Sequence, residues 1–157
     1  MAFNALIDAP KYVMELAQAH LDAYVQEVAA EQSIEVTPIP EDCYFDYDPG
    51  ELTGGPWRFM VWALDGLIDM NVQAISSDFT LWCGVRGASG DLADLSKQVR
   101  VFGVALIRML HDEAARNDEF ITATRATLSP PGLVKGTQTF VLGVGVQVLV
   151  RSGEGRE

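Results

Sequence analysis

From Pro10 to Ala30 apolar residues recur at steps of three and four. Val13, Leu16, Ala17, Leu21, Tyr24 and Val28 fall on one side, and Glu15, Gln18, Asp22 and Glu27 on the other. That period draws one apolar stripe along an α-helix, so the segment is predicted to be a helix packed on one face. Asp8 is its expected N-cap, with Pro10 tolerated in the first turn. The same period returns from Asp91 to about Ala115. There Leu92, Leu95, Val99, Phe102, Leu106, Met109 and Leu110 form a second stripe, with Ser89 or Asp91 available as the cap.

Between the helices the period drops to two. Trp57–Leu64 and Leu67–Gln73 flank Asp65-Gly66, a dipeptide suited to a two-residue hairpin turn because both positions must reach positive φ. Pairing Leu64 with Leu67 puts Ala63 opposite Ile68, Val61 opposite Met70 and Phe59 opposite Val72. These six then share one face and Asp69, Asn71 and Gln73 the other, a separation that a one-residue slip would destroy. A bend or bulge is expected at Ser76-Ser77-Asp78. The next strand then alternates Phe79, Leu81, Cys83 and Val85 with Thr80, Trp82, Gly84 and Arg86, and Gly87–Gly90 ends it. After the second helix, Phe120–Leu128 reads as a strand. Ser129–Gly136 reads as a loop with an apolar tip at Leu133 and Val134. A last strand follows, with Phe140, Leu142, Val144, Val146, Val148 and Val150 on one face. Gly143 and Gly145 lie on its other face, a smooth strip for close approach by a helix, a strand or a neighbouring subunit.

The expected fold class is therefore α+β: a single mostly antiparallel sheet in the order α-β-β-β-α-β-β with two helices packed on it. Residues 1–151 are expected to form one domain and 152–157 a disordered tail. The 24 residues Ser33–Pro56 follow neither period; they hold four prolines and three glycines, and Ile34–Val36 is the place for an added short strand. Connections of that length within a domain tend to be functional or mobile.

Charge narrows the function classes. The net charge is −11, and residues 1–56 hold eleven acids against Lys11 alone, whereas residues 119–157 hold three acids and four bases. So acidic a surface repels phosphate backbones and argues against wrapping nucleic acid. It fits a basic protein partner, a surface that nucleic acid passes without sticking, or simple solubility. No apolar run approaches the roughly 18–20 residues that cross a bilayer, and Met1–Asn4 has no leader pattern. A cytosolic protein with no membrane partner is the expectation, and Cys43 and Cys83, 40 positions apart, are expected to stay reduced.

Motifs for chemistry are scarce. His20 and His111 have no partner at ligand spacing. Asp46-Tyr47-Asp48-Pro49-Gly50 lacks the third acid and the closing glutamate of a calcium loop, so Glu41, Asp42, Asp46 and Asp48 read as a solvated acidic segment. Gly84–Gly90 passes from strand to helix without phosphate-loop spacing, and Gly143-Val144-Gly145 opens no helix. The expectation is no catalytic residue, no metal, no cofactor and no enzyme. Trp62 and Trp82 alternate to the polar-leaning faces of their strands. They are candidate interface residues, with packing under the helices as the plainer reading.

The strands of Trp57–Gln73, the strand Phe79–Arg86, the helix Asp91–Ala115 and the closing strands Phe120–Leu128 and Phe140–Val150 together resemble the tail terminator (tail completion) proteins of long-tailed bacteriophages and related contractile particles. The first helix corresponds as well. The long acidic connection and the glycine pair depart from that family's pattern. The resemblance implies a virion protein assembled in the host cytoplasm, a homohexameric ring that caps the tail tube and joins it to the neck, with DNA passing through unbound. It makes Leu133 and Val134 candidate contacts with the tube or a neighbour. Glu41, Asp42, Asp46 and Asp48 become candidate contacts with the neck or an adjacent subunit. Another head-tail adaptor of such a particle, a small dimeric ligand-binding regulatory domain, and an enzyme built from dispersed residues remain the alternatives.

Overall fold

Both apolar stripes fold as helices, and both pack on the same face of one sheet. The computed structural model describes residues 5–46, 59–64, 68–70, 74–116, 121–133 and 138–153. Its elements run α1 (Ala5–Glu31), β1 (Tyr44–Phe45), β2 (Phe59–Leu64), β3 (Ile68–Met70), β4 (Ala74–Ala88), α2 (Leu92–Arg116), β5 (Ile121–Leu133) and β6 (Thr139–Gly153). Short 3-10 turns at Glu41–Cys43 and Ser89–Asp91 lead into β1 and α2. The strands lie in the order β1-β2-β4-β6-β5, with β3 also on β4, and every pairing is antiparallel except β1 with β2. The fold is α+β.

α1 buries Val13, Ala17, Leu21, Val25 and Val28. Ala9, fully buried, carries the stripe one turn further back, and the helix begins at Ala5. Asp8 is therefore not the N-cap. It lies in the first turn, where its charge still favours the positive end of the helix dipole, and Pro10 lies inside the helix. At the other end Ser33 adopts φ 55°, with Ile34 N–H bonded to Ala29 O at 2.9 Å and Ser33 N–H to Ala30 O at 3.2 Å. This closes the helix with a left-handed cap. Ile34–Val36 forms no strand, and the short added strand is β1 instead. Pro38 and Pro40, which follow Ile34–Val36, have no N–H to donate, and α1 side chains hold carbonyls along the segment Val36–Glu41. Gln26 Nε2 donates to Val36 O at 3.2 Å, and Gln18 Nε2 to Glu41 O at 2.9 Å.

α2 buries Leu95, Val99, Phe102, Leu106, Met109 and Leu110 against the sheet. A Cβ on Gly103 would lie 2.9 Å from Val144 Cγ2, so this glycine lets α2 approach β6. The helices are joined to each other by Tyr24 Oη donating to Asp112 Oδ2 at 2.7 Å and by Arg108 with Glu27 at 3.3 Å and Glu31 at 2.8 Å. The hydrogen bond from Arg108 holds the Glu31 carboxyl below its ordinary pKa. A lowered folded-state pKa means the stabilisation is complete above the unfolded value and is lost as pH falls through the folded one. Arg108→Gln should therefore melt slightly below wild type at neutral pH and converge with it as pH falls through the lowered Glu31 value. A melting difference independent of pH would exclude this account.

The sheet corrects three expectations. β2 and β3 do not form a hairpin with each other; both pair with β4, following one another along the same edge. Leu64 stands opposite Thr80 and Ile68 opposite Ser77, four steps against three, so one extra residue is taken up between them. Asp65-Gly66 lies outside the described residues. An isolated two-stranded hairpin is marginal, whereas pairing with β4 places Val61 and Ala63 beside Cys83 and Leu81 in the buried layer. Ser76-Ser77-Asp78 is regular strand within β4. The third correction is at Ser129–Gly132, where β5 runs on to Leu133 through a register shift instead of ending in a loop. The shift accommodates Pro130 and Pro131, which cannot donate to a ladder, on an edge strand where prolines are tolerated. β6 continues through Gly153, so the predicted tail begins no earlier than residue 154, outside the described residues.

Candidate assembly surfaces

With both helices on one face, the other face of the sheet presents the alternate residues of each strand. One register row crosses five of the six strands: Phe45, Trp62, Trp82, Gly145 and Thr127. The two tryptophans singled out from the alternation are thus cross-strand partners, and Trp82 is half-buried. Its indole covers the glycine strip. A Cβ on Gly145 would lie 3.0 Å from Trp82 Cε2 and Cζ2 and 2.9 Å from Thr80 Cγ2, and one on Gly143 would lie 3.4 Å from Trp82 Cε3. The group that approaches the glycines closely is therefore a side chain of the adjacent strand of the same chain, and the expectation of an open strip is corrected. Beside it Gln147 Nε2 donates to both carboxylate oxygens of Asp78 at 3.0 and 3.1 Å. Ser129 Oγ accepts from Gly143 N–H at 2.8 Å and donates to Gly143 O at 3.2 Å, holding β5 in place where its register shifts.

The β1 edge carries the acidic candidates. Glu41 and Asp42 in the 3-10 turn and Asp46 just after β1 are exposed, and Asp48 lies outside the described residues. None of these three carboxylates forms an ion pair among the described residues. Cys43 between them is buried, and burial with the adjacent Asp42 charge pushes its thiol up to about 11. Cys83 is likewise free and fully buried, which raises its pKa, and the Cys43 thiol donates to Asp42 Oδ1 at 3.7 Å. The Tyr44 hydroxyl is also raised, chiefly by burial and further by Asp22.

The opposite flank, formed by β5 and α2, was not visible as a candidate in the sequence. Leu128 is 43% exposed and lines a cavity of about 550 Å³ together with Leu92, Ser96, Val99 and Arg100 of α2 and Leu142 of β6. Arg100, Val104 and Ile107 are spaced by four and three along α2 and so share one helix face. Val104 and Ile107 are 43% and 40% exposed, and with Leu128 they are the exposed large apolar residues among those described. Their signal in the sequence was weak: two apolar residues outside the main stripe of an amphipathic helix. Leu133 ends β5 opposite Phe140, and Val134 lies outside the described residues.

A second cavity, of about 910 Å³, opens between the end of α1, Ser33–Thr37 and the start of α2, lined by Gln26, Ile34, Glu35, Asp94, Lys97 and Gln98. Gln98 Oε1 is buried there without a hydrogen-bond partner among the described residues. His20 and His111 are both exposed. No group of three or more His, Cys, Asp or Glu placed to hold a metal occurs among the described residues, and no described helix is long and apolar enough to cross a membrane.

No protein-family model matches this chain, and no curated protein matches it significantly. Among solved structures, the type 4 fimbrial biogenesis protein PilO from Pseudomonas aeruginosa is similar at 9% identity, over 89% of this chain and 71% of that one, with a TM-score of 0.26. A likeness that faint carries no argument about this chain's fold or work.

Proposed function

We propose that this chain is a structural protein that works by self-assembly, as a ring of the tail terminator type that caps a phage tail tube and joins it to the neck. The supporting observation is the exposure of Val104 and Ile107 on α2 and of Leu128 at the cavity between α2 and β5, since large apolar side chains left at a surface mark a place that assembly covers. The ring, the six-fold count and the passage of DNA rest on the resemblance in element order. The acidic excess of the first third suits a channel wall that DNA passes without binding.

The mass of the full chain in solution over a wide concentration range, with electron micrographs of the heaviest species, tests this reading. An annular particle of about six subunits supports it. A stable dimer with no annular form excludes it. That outcome favours a ligand-binding regulatory domain, for which the polar cavity around Gln98 would be the site and thermal shifts with small polar ligands the discriminating measurement.

A further inference from the structure

We infer that the segment Val36–Glu41 is a latch strapped across α1 and controlled by Asp22, closing more firmly when the Asp22 carboxyl carries a proton than when it is charged. The inference is independent of the ring reading.

The strap is held by side chains. Gln18, Asp22 and Gln26 of α1 follow one another at steps of four and so share one side of the helix. Gln26 Nε2 donates to Val36 O at 3.2 Å, the Asp22 carboxylate accepts from Ile39 N–H, and Gln18 Nε2 donates to Glu41 O at 2.9 Å. Helix position falls as strap position rises, so the strap runs antiparallel to α1. From Gln18 to Gln26 the helix rises about 12 Å. From Val36 to Glu41 a polyproline II chain spans roughly 15 Å, and Pro40 adopts that conformation at φ −57° and ψ 145°. The lengths are close enough for three side chains to serve the whole strap. Val36 and Ile39 are its buried apolar anchors, and Cys43 just beyond is buried as well.

Among the described residues no backbone–backbone hydrogen bond ties Val36–Glu41 to another element; its one such bond is local, from Cys43 N–H to Pro40 O at 3.0 Å. A segment held in this way opens ahead of the core. β1 follows directly, so opening also loosens the pairing of Tyr44 with Val61 and of Phe45 with Trp62.

Asp22 is the member of the ladder that can change charge. One carboxylate oxygen serves Ile39, and the other, Oδ1, is buried without a hydrogen-bond partner among the described residues. Burial outweighs the Ile39 hydrogen bond and raises the carboxyl above its ordinary pKa. A charged oxygen buried without a donor is costly, and a proton removes that cost. Gln18 and Gln26, on either side, carry no charge. Near Asp22 on β1 is Tyr44, whose hydroxyl Asp22 helps to push up, with Cys43 and Cys83 close to that tyrosine. The Cys43 thiol is pushed up to about 11, and burial raises the other two, so none of the three ionises where Asp22 does. Glu41 and Asp42, at the end of the strap, are exposed. A carboxyl whose pKa is higher with the strap docked binds its proton more tightly in the closed latch. Closure is therefore firmest below the undocked value and weakens as pH rises through the docked one.

Cys43 reports the latch, because its thiol is buried beside the strap, and fully buried Cys83 in β4 reports deeper opening. The test labels the full chain with dithiodipyridine, which reacts with thiols in acid as well as at neutral pH, and assigns each label by peptide mass after acid digestion. Wild type should label at Cys43 before Cys83. Asp22→Asn keeps an acceptor for Ile39 N–H and cannot ionise, so at neutral pH its Cys43 should label on the order of 10-fold more slowly than in wild type. The intrinsic pH dependence of the thiol cancels in that ratio, which should approach one as pH falls through the raised Asp22 value. Gln18→Ala/Gln26→Ala changes two exposed residues and should label faster at Cys43 with Cys83 unchanged, circular dichroism checking that each variant folds. Cys43 and Cys83 labelling together in wild type would show that the strap opens only with the whole fold, and would overturn the inference. So would an Asp22→Asn ratio that is the same at every pH, or an Asp22→Asn chain that labels faster than wild type, since the charged carboxylate would then be the better anchor. A Gln18→Ala/Gln26→Ala chain that labels as wild type does would equally remove the strap as the element that opens.

Discussion

Replacing Phe102 with alanine should cost about 3–5 kcal/mol of unfolding free energy, the range for removing a buried aromatic side chain from a packed core. Phe102 is fully buried and among the largest such side chains in the protein. It lies midway along α2, between the turns that bury Val99 and Leu106, in the layer where α2 meets the sheet and α1. The next residue, Gly103, lies against Val144 of β6, and that close backbone approach does not collapse readily into the space left behind. In a chain of this length the loss corresponds to a melting temperature lower by about 10 °C. Thermal unfolding followed by circular dichroism measures it. A shift of only a degree or two would mean that α2 does not pack as described.

The second large effect lies on the other face of the sheet. Gly145→Leu should destabilise by about 2–3 kcal/mol, because the new side chain occupies the space of the Trp82 indole, already at contact distance from a Cβ alone. Trp82 must then leave its place over β6. The informative measurement is the double variant. In Trp82→Ala the indole is gone, so adding Gly145→Leu should cost less than it does in wild type. The coupling should exceed about 1 kcal/mol, as for residues in direct contact. Additive losses would show that Trp82 does not cover Gly145 in solution. An indole packed over a strand glycine restores the contacts that the glycine forfeits, so Gly143 and Gly145 have a local structural reason.

The candidate surfaces were less legible than the core. Glu41, Asp42 and Asp46 stood out because charge is countable along a chain, and they are exposed as expected. Leu128 read only as the end of a strand, and in the structure it pairs with buried Val144. Only the position of β5 at the sheet edge leaves it exposed. Val104 and Ile107 likewise become a surface feature through the placement of α2, whose other sides meet α1 through Arg108 and β6 through Gly103. Exposure depends on what lies beyond an element, and sequence periodicity does not carry that.

What the sequence by itself determined was everything set by the local period of apolar residues. A repeat of 3.6 or 2 fixes which side of a helix or strand is apolar, and burying that side is the main favourable term in folding. Hence the stripes of α1 and α2, the buried alternation Phe79–Val85 and that of Leu142–Val150 were all readable, and with them the α+β class. Only the tertiary structure decided which strand pairs with which. Asp65-Gly66 is compatible with a hairpin and also with one extra residue in a strand. The choice went to pairing along the fifteen-residue β4, whose free edge offered β2 and β3 a partner already anchored in the core by β6. The tertiary structure likewise carried β5 past its two prolines, because an edge strand can lose two donors that an interior strand cannot. Strand pairing is a competition among distant segments, settled by the layer each can bury, and no local pattern records the outcome.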